Sequence, residues 1–190
     1  MNTSARAEAI RRAKEYLAQR PVFLDTETTG IGPNAEIVEI SIVDFDGSVL
    51  LDALVKPRGK IELDAQRVHG ITAGMLGSAL GWDALWPEVQ AALEGRTVGI
   101  YNADFDMRMM KQSHQRNWMQ WRQPKGMYVC LMKLYAQFYG QWNPQRRSYR
   151  WQSLENARAQ CGLSTPNSHR ALDDTQLSRE VLLFMAAAQE

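Results

Sequence analysis

Residues 22–30, Val-Phe-Leu-Asp-Thr-Glu-Thr-Thr-Gly, constrain this chain more than any other stretch. The apolar run Val22-Phe23-Leu24 follows Pro21, and the segment closes at Gly30, which reads as a buried strand. Side chains alternate along a strand, so Asp25 and Glu27 point the same way. Two carboxylates side by side at the end of a buried strand lose hydration and repel each other. A divalent cation is the usual compensation. The competing reading, an exposed edge strand with two solvated acids, sits poorly with the apolar residues that lead in.

The rest of the chain is consistent with one domain large enough for a full core. Its 190 residues carry a net charge of +1, so no global positive field draws in a polyanion. A nucleic-acid partner would have to be attracted by local arginine clusters and metal ions. The two cysteines, Cys130 and Cys161, lack C-x-x-C spacing and fit reduced structural thiols. No apolar run approaches the ~20 residues that cross a bilayer. The Ala-, Arg- and Glu-rich N-terminus has no signal-peptide core. A soluble, cytoplasmic protein is expected.

Residues 4–19 are strong helix formers, with Ala9, Ile10, Ala13, Tyr16 and Leu17 in an apolar stripe. That stripe is expected to pack onto the domain. After the turn at 30–34, residues 36–45 alternate as a second strand, Asp46-Gly47 signals a hairpin, and 49–55 returns as a third. The three predict an antiparallel meander. Short helices are expected at 64–68 and after Thr72, and an amphipathic helix at 82–93. A fourth strand at 97–101 leads into Asn102-Ala103-Asp104-Phe105-Asp106 and a helix to about Met119. A short fifth strand at 127–130, a helix to Tyr139, another at 153–161 and a last one from near His169 to Ala188 complete the pattern. Residues 140–151 are the least regular. There Arg146, Arg147 and Arg150 interleave with Trp142, Tyr149 and Trp151, as in a mobile loop that holds a single strand by phosphate contact and stacking. A solvated basic loop with its aromatics tucked into the core is the other reading.

Three acidic clusters, far apart in sequence, each close a core element. They are Asp25 with Glu27, Asp104 with Asp106, and His169 with Asp173 and Asp174. Singly, each has an ordinary explanation as a helix cap or a first-turn acid. Together, in this order, they resemble the DEDDh branch of the DnaQ-like 3′→5′ exonucleases. Phe23-Leu24-Asp25-Thr26-Glu27-Thr28-Thr29-Gly30 is similar to that family's first motif. Asn102-Ala103-Asp104-Phe105-Asp106 is similar to the second, in which the acid after the aromatic is functional. His169-Arg170-Ala171-Leu172-Asp173-Asp174 is similar to the third, and Val68-His69-Gly70-Ile71-Thr72 to a signature near the substrate terminus. Tyr101 stands where the family often has His.

The resemblance implies an α/β, ribonuclease H-like fold: a central mixed five-stranded sheet flanked by helices. Residues 1–20 would form an N-terminal helical extension and 21–190 the exonuclease domain. It further implies two Mg²⁺ or Mn²⁺ ions held by Asp25, Glu27, Asp106 and Asp174, with Asp25 bridging, and His169 as general base. Thr28, His69 and Phe105 would line the pocket of the terminal nucleotide; for His69 a capping role is the alternative. Arg146, Arg147 and Arg150 are candidate substrate contacts. The expected reaction is metal-dependent removal of nucleoside 5′-monophosphates from DNA 3′ ends, preferring single strands or frayed ends. Trimming of RNA 3′ ends is the rival within the enzyme class, and a non-catalytic adaptor of the same fold the rival outside it. A polymerase or repair-complex partner is compatible with the family, though the ending of the chain after its last helix favours a stand-alone nuclease.

Overall fold

The computed structural model describes residues 3–189. In chain order the elements are α1 (Thr3–Ala18), β1 (Val22–Thr28), β2 (Ile37–Val43), β3 (Val49–Lys56), α2 (Leu63–His69), β4 (Leu80–Gly81) and α3 (Trp82–Leu93). They continue with β5 (Arg96–Ile100), α4 (Ala103–Arg116), β6 (Gly126–Cys130), α5 (Leu131–Tyr139), β7 (Trp142–Asn143), β8 (Ser148–Tyr149), α6 (Leu154–Cys161) and α7 (Ala171–Ala187). No helix among the described residues is long and apolar enough to cross a membrane.

The sheet runs β4-β3-β2-β1-β5-β6. β1, β2 and β3 form the expected antiparallel meander, and β5 and β6 extend β1 in parallel. The sheet has six strands rather than the five expected. The sixth, β4, is two residues long and pairs in parallel with the end of β3 through Val55–Leu80 and Lys56–Gly81. So short a strand has no periodicity to detect.

Helices cover both faces, which explains why every residue of β2 is buried. On one face Phe23 packs with α5, α6 and α7. On the other, Val22, Leu24, Ile40 and Ile42 pack against α3 and α4. Phe23 lies opposite Gly99 of β5, where a Cβ would stand 2.9 Å from the ring; glycine lets the ring lie across the sheet. The stripe of α1 is part of this core. Ala9, Ile10 and Ala13 are fully buried, and the helix packs on α5 and α7. Burying Ile10 alone contributes roughly 1.5–3 kcal/mol.

Three local expectations are corrected. Residues 72–79 form successive turns, not a helix, because Gly74 and Gly77 weaken helix propensity and Thr72 caps only a turn. The last helix begins at Ala171, since His169 adopts φ +54° and Arg170 is extended. Residues 140–151 are not an irregular loop: they form the hairpin β7–β8, with Trp142 against Tyr149 edge-on at 5.1 Å. Its tryptophans are not in the core, Trp142 being 51% and Trp151 62% exposed. Tyr101 fixes the hairpin's stem, its hydroxyl lying 3.0 Å from the carbonyl of Gln152 and 3.1 Å from that of Ser153.

Candidate active site

Asp25 and Glu27 share the sheet face of Phe23, the face that α7 crosses. They meet Asp174 from the first turn of α7 and Asp106 from the first turn of α4. Asp106 is 2% exposed and accepts a 2.7 Å hydrogen bond from the Thr26 hydroxyl. Its neighbour Asp104 is exposed and pairs with Lys133 at 2.6 Å. The Asn167 amide, oriented to satisfy its partners, donates to both Asp174 oxygens at 2.9 Å and accepts from the Glu155 N–H at 3.1 Å.

Burial holds all four acids above the usual carboxylate range, and neighbouring carboxylates add to it at Asp25, Glu27 and Asp174. Burial pushes Asp25 well up, and Asp106, Glu27 and Asp174 push it further. Glu27 rises to about 8 through burial, then through Asp174, Glu39 and Asp106, with Arg170 opposing. Asp106 rises to about 7 by burial, against the Thr26 hydrogen bond. Asp174 rises to about 7 by burial and by Asp173, against backbone N–H groups of His169 and Ser168. So many uncompensated acids fit a hard divalent cation, which prefers oxygen ligands. Donor atoms of Glu27, Asp174 and His169 lie within 4.8 Å of one another.

His169 is half-exposed, with Nδ1 3.9 Å from Asp174 Oδ2. The residues on either side of it are anchored. The Ser168 hydroxyl donates to Asp173 at 2.5 Å. Arg170 forks onto Glu39 of β2, Nε standing 3.1 Å from both carboxylate oxygens and Nη2 2.5 Å from one. The Ala171 N–H donates to the same carboxylate at 2.9 Å. Glu39 is 3% exposed and sits directly across from Glu27 in the β1–β2 register. It, Arg170, Asn167 and Thr26 were not singled out from sequence. The available signal was an acid embedded in an otherwise apolar strand.

Beside the acids lies a cleft of about 310 Å³ lined by Glu27, Thr28, Gly30, Ile31, His69 and Phe105, among others. Thr28, His69 and Phe105 are therefore gathered together. At Gly30 the helix α2 docks so closely that a Cβ would stand 2.3 Å from the Glu62 side chain. His69 is 5% exposed; Nδ1 accepts from the Ile71 N–H at 3.0 Å, which leaves Nε2 to donate to the Thr28 carbonyl at 3.1 Å. The Thr28 hydroxyl donates to the Gly30 carbonyl at 2.7 Å. Arg146 and Arg150 line a separate groove with Tyr149 and Trp151, and Arg147 lies at the hairpin tip with φ +50°. None of the three lines the acidic cleft.

A mixed sheet of this order, with acids from α4 and α7 meeting those at the C-terminal end of its central strand β1, defines an α/β nuclease of the ribonuclease H-like class. The sequence profile of the RNase_T exonuclease family matches residues 22–182, and the chain belongs to this DnaQ-like exonuclease family. The uncharacterized exonuclease CP81 of Escherichia phage 186 is 35% identical over 188 residues, covering 95% of both chains. The PolC-type DNA polymerase III of Thermotoga maritima is 31% identical over 167 residues, which span 85% of this chain and 11% of that polymerase. Exonuclease X, solved in complex with 5′ overhanging duplex DNA, matches with a TM-score of 0.64 at 26% identity, over 86% of this chain and 88% of that one. The protein is an exonuclease acting on nucleic acid, and its family is divalent-metal dependent. The profile match begins after α1.

Proposed function

We propose that the protein removes nucleotides from the 3′ end of DNA, single-stranded or frayed, releasing nucleoside 5′-monophosphates. The observation that supports this reading is the close approach of Asp25 to Glu27, Asp106 and Asp174, with His169 beside Glu27 and Asp174 and Glu27 lining the cleft. The DNA complex of exonuclease X and the likeness to a replicative polymerase support DNA as substrate.

Asp25, Glu27, Asp106 and Asp174 would hold the Mg²⁺ or Mn²⁺ ions, which would supply electrostatic stabilisation of the attacking and leaving oxygens of an in-line displacement. His169 takes the proton from the attacking water, its half-exposed imidazole lying with Nδ1 3.9 Å from Asp174 Oδ2. The departing 3′ oxygen belongs to the preceding nucleotide. Phe105 and the face of His69 flank the terminal base, since both ring nitrogens of His69 are taken by backbone groups. The Thr28 turn shapes the floor. Arg146, Arg147 and Arg150 hold the strand farther out. The two free thiols, Cys130 and Cys161, support a reducing, cytoplasmic setting for the enzyme.

The test is a degradation time course on matched single-stranded DNA and RNA labelled at the 5′ end, with Mg²⁺, Mn²⁺ or EDTA. The expected result is a metal-dependent ladder shortening from the 3′ end, faster on DNA. Faster shortening of RNA transfers the assignment to RNA trimming. Binding without shortening in either metal refutes catalysis and points to an adaptor.

A further inference from the structure

A second pocket, of about 330 Å³, lies at the far end of the turn that closes the catalytic cleft. Gly30 and Ile31 of this turn line the cleft, whereas Pro33 and Asn34 line the second pocket with Arg58, Gln112, Gln115, Arg116 and Trp118. We propose that this pocket binds backbone phosphates of the nucleic acid whose 3′ end occupies the cleft. The inference rests on the exonuclease reading above for where that end lies.

The pocket is held in shape from beneath. Glu36 is 1% exposed, accepts from the Arg58 N–H at 3.1 Å and the Gly59 N–H at 2.7 Å, and faces Arg116 Nε at 3.6 Å. A single carboxylate thus fixes the 57–59 loop and steers one guanidinium. Gln112 binds the turn to α4, its amide donating to the carbonyls of Gly32 at 3.0 Å and Ala35 at 3.1 Å. Arg58 donates Nε to Asn117 Oδ1 at 2.9 Å, and its guanidinium lies 4.2 Å from the centre of the Trp118 ring. It pairs with no carboxylate among the described residues.

Such an arrangement differs from a solvated basic face. The two guanidiniums converge on a concave site and are pre-oriented by a buried acid, a stacking ring and an amide, so less freedom is lost when a phosphate arrives. Trp118 is 81% exposed and stands at φ +53°, a left-handed conformation that a bulky residue rarely takes. Its open face offers stacking area next to the charge. Reach is also right. Ile31 and Asn34 are three Cα steps apart, at most ~11 Å, so the pocket lies within a few nucleotides of the cleft. The phosphates come either from the scissile strand, just upstream of its terminus, or from a complementary strand paired beside it.

The experiment compares wild type with Arg58→Ala and with Arg116→Gln, which keeps a donor over Glu36. Equilibrium binding is measured in EDTA, where no cleavage occurs, on a fluorescent dinucleotide, a single-stranded decanucleotide, and the same decanucleotide recessed on a 5′-overhang duplex. The expected result is a five- to tenfold loss of affinity on a longer ligand relative to the dinucleotide, with the salt slope falling by ~0.7–0.9 per lost contact. Loss on the single strand assigns the pocket to the scissile strand; loss confined to the duplex assigns it to the complement. Unchanged affinity and salt slope on both longer ligands overturn the proposal. Turnover is followed in parallel with Mg²⁺. Arginine-dependent binding without 3′ shortening overturns the exonuclease reading and keeps the pocket, whereas 3′ shortening indifferent to both substitutions does the reverse.

Discussion

The acidic cluster at the end of β1 and the β7–β8 hairpin are both dense in charge, yet they are built in opposite ways. In the cluster, acids from β1, α4 and α7 are driven together by the core and locked by Thr26, Asn167 and the Arg170–Glu39 fork. The hairpin has two-residue strands, exposed tryptophans and arginines on its turn, tied down chiefly through Tyr101. Charge at the acidic cluster is stored against the stability of the fold. Charge on the hairpin is peripheral, so altering it is expected to leave the fold unchanged.

The strongest way to break this contrast is Asp25→Asn. Turnover is expected to fall roughly 10⁴-fold or more, as for loss of a member of a catalytic unit; a fall of less than about tenfold would remove Asp25 from the centre of the site. His169→Ala should lower kcat by ~10²–10⁴ while the stabilisation by Mg²⁺ or Mn²⁺ is kept. A rate equal to wild type from pH 6 to 9 would sink its role as base.

The next test is pH in the absence of metal. The folded-state values of Glu27, Asp106 and Asp174, about 8, 7 and 7, lie above those of an unfolded chain, near 4. The folded protein therefore binds more protons than the unfolded one between about pH 4 and 8, and stability is lost as pH rises through that window. In EDTA, Tm should drop by at least ~5 °C from pH 5 to pH 8, and Mg²⁺ at pH 8 should restore it. Asp25→Asn should raise Tm at pH 8 in EDTA by relieving repulsion. A flat Tm across the window would show that the acids are not stored as described.

The smallest structural effect belongs to the hairpin. Replacing Arg146, Arg147 and Arg150 together by Ala should raise KM about tenfold and flatten the salt dependence. Tm should stay within ~2 °C, as for surface substitutions. A KM that does not move would leave these arginines as a solvated face.

Asp25 and Glu27 were legible because the first motif carries an apolar run and then two acids in period two, whereas Asp106 and Asp174 were picked out by the family resemblance. The meander was legible from alternation and from Asp46-Gly47. What escaped depends on tertiary pairing. Glu39 reads as the polar residue of an alternating strand, but helices on both faces bury it, and its partner Arg170 lies 131 positions away. β4 and β7–β8 are too short to carry a period, and their pairing is decided by what they lie beside. The stripe of α1 was visible, whereas its docking surface on α5 and α7 exists only once those helices have met.

The anchoring on both sides of His169 has a kinetic consequence. With Ser168 and Arg170 tied down and the backbone already turned at φ +54°, no loop has to close before the imidazole can reach a water. It needs only a rotation of its own half-exposed side chain, which takes picoseconds to nanoseconds. As the proposed general base, His169 would therefore sample its working position many times in each encounter with a water.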